Sequence, residues 1–177
     1  MLPPNLQQWT SSIIASLNAN GYDMLRPELI LAIIARESSG DRWALNAEPR
    51  YQYLWDVKQK KPFRKMTSVE YCSAIPPDDF PTIAGDPDQE WTAQRCSWGL
   101  MQVMGAVARE HGFRGNYLTT ILEPYMNIDY GIRHLWLYCY EKGNNSTTEA
   151  LKRWNGGGNP NYVDEVLTLQ NQILSVV

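Results

Sequence analysis

Histidine is nearly absent from this chain, with 2 in 177 residues, and cysteine is scarce, with 3. Neither His111 and His134 nor Cys72, Cys96 and Cys139 fall at the short spacings of a metal site, so no metal centre is expected, and no cofactor motif is present. Any pairing of the three cysteines leaves one thiol over. A Cys72–Cys96 disulfide stays open, while Cys139, on the apolar face of a helix with Ile132, Leu135 and Trp136, reads as a buried reduced thiol. Long apolar runs are also missing, so no membrane insertion is expected. The opening MLPPNLQQW lacks a basic stretch ahead of an apolar core, and no secretory signal is expected. An excess of positive charge is absent too: 16 Lys and Arg against 19 Asp and Glu leave a net charge of -3. Nucleic acid, which wants a basic face, has no electrostatic case as a partner.

What the chain does have is apolar and aromatic substance. Its composition is 44% hydrophobic with 7 Trp and 10 Tyr, enough for one well-buried core, and residues 1–177 are read as a single domain. Periodicity predicts a mainly α fold. Leu6, Trp9, Ile13 and Leu17 mark a helix over residues 6–18 that ends near Gly21. Pro27 suits the first turn of the next helix, to Ser38. A third is predicted over 99–111, closed by Gly112, and a fourth over 127–142, capped by Asn127 and ended by Gly143. Ser146-Thr147-Thr148-Glu149 has capping-box spacing and starts a short helix reaching Trp154. Asn159-Pro160 opens the last helix, with Val163, Val166 and Ile173 inward.

Residues 47–95 break this helical pattern. Tyr51, Tyr53, Trp55 and Val57 alternate with more polar residues, predicting a strand before a turn at 59–62. The remainder, including IPPDDFPTIAGDPDQEW, is rich in proline and acid and is expected to form neither a regular helix nor a central strand. A loop of this length is read as a wall or lid of a cleft.

One residue defies its own helix. In PELILAIIARES, Ile30, Ile33, Ile34 and Glu37 share a face at three- and four-residue spacing, which aims the carboxylate inward. Removing a carboxyl group from water favours its protonated form, which suits a general acid.

Glu37-Ser38-Ser39-Gly40 is followed in order by Ser97-Trp98-Gly99-Leu100-Met101-Gln102, by Trp154-Asn155-Gly156-Gly157 and by Tyr162-Val163. From about Pro27 to Leu167 this set resembles the soluble lytic transglycosylase family, of lysozyme-like fold and related to goose-type lysozyme. The resemblance implies a mainly helical, lysozyme-like α+β domain that cleaves the MurNAc-β-1,4-GlcNAc bond of peptidoglycan without cofactor, leaving 1,6-anhydro-MurNAc ends. Glu37 would be the catalytic acid and base, and Ser38, Met101, Gln102, Trp154, Asn155 and Tyr162 would meet the glycan. Tyr162 matches a family tyrosine whose hydroxyl approaches the catalytic carboxyl group. Asn127 and Gly131 also resemble a family element, although capping and helix packing explain them better.

Two departures stand out. Many relatives have only a short connection where this chain has 47–95. Where relatives commonly read Ala-Tyr-Asn, this chain reads Arg153-Trp154-Asn155, which keeps a ring for stacking and puts a tyrosine hydrogen bond in doubt. Peptidoglycan strands are the expected partner and a monomer the expected state. The site of action is the cell wall, periplasmic or extracellular, reached as a phage lysis or virion protein or through specialised export. Two rivals remain. One is a hydrolytic muramidase using an acid of the insertion, among Asp78, Asp79, Asp86, Asp88 and Glu90. The other is a binding or virion structural protein without turnover.

Overall fold

The computed structural model describes residues 3–175. Met1 and Leu2, part of the segment read for an export signal, lie outside the described residues, as do Val176 and Val177. Helix α1 (Pro4–Gln7) leads into α2 (Thr10–Asn20), which Gly21 ends in a left-handed conformation at φ 69°. Pro27 then opens α3 (Pro27–Ser38), whose Ile30, Ile33 and Ile34 are each 0% exposed, so the predicted inward face is the real one. Ser39 stops it, at φ 54°.

The chain next forms β1 (Leu45–Ala47), the hairpin β2 (Trp55–Asp56) and β3 (Lys61–Pro62), α4 (Ser68–Cys72) and α5 (Pro87–Gln94). It continues through β4 (Cys96–Trp98), β5 (Val103–Met104), α6 (Gly105–Glu110) and α7 (Pro124–His134). A π-helical stretch, Leu135–Tyr140, prolongs α7, and α8 (Thr147–Asn155) and α9 (Tyr162–Leu174) complete the order. The fold is mainly helical with two small antiparallel sheets, and β1, β4 and β5 stand side by side in one of them. Helix α3 packs on α9, α2 on α7, and α8 on the π-helical stretch. No helix of the described residues is long and apolar enough to cross a membrane.

Several local expectations are corrected. The helix predicted over 99–111 begins only at Gly105, because Gly99 at φ 68° and Gln102 at φ 48° bend the preceding residues into a turn between β4 and β5. Leu100 and Met101, both 0% exposed, owe their burial to that turn rather than to helical period. Asn127 is no cap. It lies inside α7, fully buried, where Nδ2 donates to the Trp98 carbonyl (2.7 Å) and Oδ1 accepts from the Met101 amide (2.8 Å). Glu123 caps α7 instead. Gly131 packs as expected: a Cβ there would meet Met101 Sδ at 2.5 Å.

In the insertion, only Trp55–Asp56 of the predicted alternating strand forms strand, since Tyr51 and Tyr53 pair with nothing as a ladder. The stretch expected to lack a helix holds α5, with Asp86 as cap and Pro87 in the first turn, where a missing N–H costs nothing. Leu54, Phe80, Trp91 and Ala106 form a second buried cluster beneath it. Arg109 (0% exposed) donates from Nη2 and Nε to Glu90 at 2.7 and 2.8 Å, and so ties α6 to α5. All three cysteines are free, with Cys139 buried and its thiol pushed up to about 11 by desolvation.

Candidate active site

Helix α3 delivers Glu37 to the wall of a cleft of about 640 Å³. Trp154, in the last turn of α8, donates from Nε1 to Glu37 Oε1 at 3.0 Å. Tyr162, the first residue of α9, donates its hydroxyl to the same oxygen at 2.5 Å. Burial, then the neighbouring Glu37 charge, raise the Tyr162 hydroxyl well above its ordinary range, so it remains a donor at any working pH. Two donors on one oxygen fill the acceptor capacity of a carbonyl-type oxygen. A proton on this carboxyl group therefore resides on Oε2, which has no protein partner among the described residues and is left to the cleft.

The clamp is itself held. Arg36, next to Glu37, donates from Nε to Glu165 Oε2 at 2.5 Å, and Asn159 Nδ2 donates to the same oxygen at 3.0 Å. This joins the end of α3 to the first turn of α9 and keeps Tyr162 over Glu37. Glycine at 156 and 157, at φ 60° and 83°, ends α8 with open space around it. The chain can then reverse and bring Trp154 and Tyr162 onto one oxygen.

The other predicted residues separate into two groups. Gln102 and Asn155 line the cleft. Their hydrogen bonding, however, goes to protein groups around them. Gln102 Nε2 donates to the Ala44 and Gly99 carbonyls (3.2 and 2.9 Å) and its Oε1 accepts from Ser97 Oγ (2.8 Å). Asn155 Nδ2 donates to the Asn159 carbonyl (2.8 Å) and its Oδ1 accepts from the Asn159 amide (3.2 Å).

Ser38 and Met101 are not among the residues that line the cleft. Ser38 Oγ donates to the Leu100 carbonyl at 2.8 Å, pinning α3 to the β4–β5 turn, and Met101 is wholly buried against Gly131. Both build the cleft from behind. The doubt over residue 154 also resolves: the indole N–H supplies a hydrogen bond to the carboxyl group itself.

Sequence reasoning passed over several cleft residues, Glu48 and His134 among them. Glu48 faces the cleft from the strand side, accepting from Asn46 Nδ2 at 2.6 Å. No motif marks it. His134 lines the cleft and meets the other histidine, Nδ1 to His111 Nε2 at 3.1 Å, a pairing that a separation of 23 residues conceals. Tyr51, like Glu48, lies within residues 47–95 and brings that insertion to the cleft. The five insertion acids named for hydrolysis do not line the cleft, although Glu48 of the same 47–95 stretch does: Glu90 is paired with Arg109, Asp79 with Arg64, Asp86 caps α5, and Asp78 and Asp88 lie exposed outside it. Among the described residues no group of three or more His, Cys, Asp and Glu is placed to hold a metal ion.

No curated protein and no solved structure significantly matches this chain. The family model described as the transglycosylase SLT domain matches residues 15–165, a span that includes Glu37, Gln102, Trp154 and Tyr162. With most of its length so matched, the chain belongs to the transglycosylase SLT domain family, whose domains degrade peptidoglycan by lytic transglycosylase-type chemistry.

Proposed function

We propose that the protein is a lytic transglycosylase that cleaves the MurNAc-β-1,4-GlcNAc bond and closes a 1,6-anhydro ring on MurNAc. The observation that carries this reading is Glu37 itself, clamped through Oε1 by Trp154 and Tyr162 with Oε2 turned over to the cleft. Protonated Oε2 gives its proton to the bridging oxygen, and the bond from that oxygen to the anomeric carbon breaks, releasing the GlcNAc 4-hydroxyl. The acetamido group of the MurNAc ring assists at the anomeric carbon. Oε2, now unprotonated, accepts the proton of the MurNAc 6-hydroxyl as its oxygen bonds to that carbon, and no water is consumed. Trp154 and Tyr162 hold the carboxyl group in place through both half-reactions. Gln102 and Asn155 keep the turns that shape the cleft rigid.

Glu48 supports a second reading. A second carboxylate lining the same cleft is what a hydrolytic glycosidase needs to activate water. The products discriminate. Mass spectrometry of soluble fragments from purified peptidoglycan is expected to show ends lighter by one water than reducing MurNAc, and none from the Glu37→Gln protein. Reducing ends would replace the lytic reading with hydrolysis through Glu48. No fragments from the unaltered protein would leave a glycan-binding domain without turnover.

A further inference from the structure

The two histidines have no part in this mechanism, yet they sit directly behind it. His134 is the last residue of α7, where the helix passes into the π-helical stretch Leu135–Tyr140. Such segments insert an extra residue into a helix and recur at functional sites. Here the segment sets an imidazole in the cleft wall, between Tyr138, stacked at 5.3 Å and 19°, and the Trp154 indole at 5.8 Å. Trp154 is the residue that donates to Glu37. His134 is therefore one ring away from the reacting carboxyl group.

The ring is immobilised. Stacking fixes its plane, and the 3.1 Å contact with His111 Nε2 fixes its rotation about that plane. His111 is steadied in turn, with its ring edge-on to Tyr138 at 5.4 Å. Tyr138 is anchored through its hydroxyl, which donates to Glu110 at 2.6 Å. Desolvation, with lesser effects of His111 and Lys142, lowers His134 to about 4, so the ring is neutral wherever a carboxyl group of ordinary strength is ionised. A neutral imidazole carries one N–H and one bare nitrogen. Nδ1 is spent on His111. Nε2 has no protein partner among the described residues and is not among the atoms sealed from solvent.

We propose that His134 binds the glycan directly, donating from Nε2–H to the acetamido carbonyl of a bound sugar while His111 Nε2–H donates to His134 Nδ1. This deepens the peptidoglycan reading above and rests on it. A fixed, uncharged donor suits a neutral acetamido oxygen, the acceptor that every sugar of the strand repeats. The nearby Gln102 amide cannot serve, because both its N–H groups are taken by backbone carbonyls. His111 acts as a positioning residue, holding the tautomer that places the proton on the cleft side.

With only 2 histidines in the chain, selective 15N-histidine labelling yields two readable rings. The Glu37→Gln protein is titrated with soluble, uncross-linked glycan strands of alternating GlcNAc and MurNAc, and binding is followed in parallel by calorimetry. His134 is expected to show a protonated Nε2 and an unprotonated Nδ1, with the Nε2–H signal shifting on saturation. His134→Phe in the same background should bind about three- to tenfold more weakly, the loss of one hydrogen bond, and His134→Gln, which restores an N–H, should recover part of it. Calorimetric binding with unmoved histidine signals, or a proton on Nδ1 instead, would overturn the His134 contact and leave the peptidoglycan reading intact. Absence of binding by the strands would overturn both. Should His134→Phe fail to fold, the titration with both histidines in place decides alone.

Discussion

The cleft has two walls of different construction. On the Glu37 side, α3, α8 and α9 converge so that two aromatic donors meet one carboxylate oxygen, and the backing is the main apolar core. On the other side stand a short sheet and an insertion with its own small cluster around Trp91 and Phe80, tied down by a buried ion pair. The first wall rests on helices that bury much apolar area. The second is also held by a few polar bonds, among them Gln94 Nε2 to the Trp55 carbonyl (3.1 Å), the Trp55 amide to Gln94 Oε1 (2.8 Å), and Arg109 Nη2 to Glu90 Oε2 (2.7 Å). The candidate acid sits on the wall backed by the main core, and the insertion with its smaller cluster supplies the other.

Breaking the weaker wall should have the largest effect on stability. Arg109→Leu leaves Glu90 buried and unpaired and should cost about 3–5 kcal/mol in a urea titration. The loss should centre on the insertion, so hydrogen exchange should rise across 47–95 while α3 stays protected. Uniform exchange across both walls would show that they unfold as one.

An acid titration sharpens the comparison from the side of the first wall. His134 accepts a proton near 6.5 when unfolded but only near 4 when folded, so between those values the unfolded chain holds more protons. Stability contributed by burying this neutral ring is fully present above about pH 6.5 and falls as pH drops toward 4, by on the order of 3 kcal/mol. Stability curves of the unaltered protein and His134→Gln should therefore diverge in slope across that window and run parallel above it. Parallel curves throughout would remove the buried neutral histidine from the account.

Asn127→Ala deprives the Met101 amide and the Trp98 carbonyl of partners on the hinge between the walls, and should cost about 1–3 kcal/mol in the melt. Trp154→Phe and Tyr162→Phe should have the smallest effects. Each removes one of two donors from Oε1 and should lower kcat about tenfold with KM little changed. The double replacement should exceed the sum in free energy, because the second loss leaves Oε1 without a donor. Strict additivity would mean that the two donors act independently.

Legibility in the sequence follows the same division. The inward face of α3 is readable because helical period and burial coincide over Ile30, Ile33 and Ile34, and Glu37 inherits its place from them. Gly21 as a helix end is readable from backbone sterics alone. The β4–β5 turn is not, because Gln102 takes a positive φ that its residue type does not advertise, and apolar Leu100 and Met101 imitate a helix. Asn127 looked like a cap because its partners, Trp98 and Met101, lie more than 25 residues away in sequence. Glu48 and the histidine pair escape for the same reason: only the folded chain brings them to the cleft. Ser38 and Met101 show the converse, residues of a motif that lie behind the cleft and hold its backbone.

The central claim is that Glu37 alone transfers the proton. Its most direct test is the rate of soluble fragment release from purified peptidoglycan by Glu37→Gln, beside the unaltered protein, with circular dichroism and melting temperature measured on both. A fall of at least ~10²-fold with an unchanged fold is the predicted result. Activity near that of the unaltered protein would contradict it and move the proton transfer to another group of the cleft.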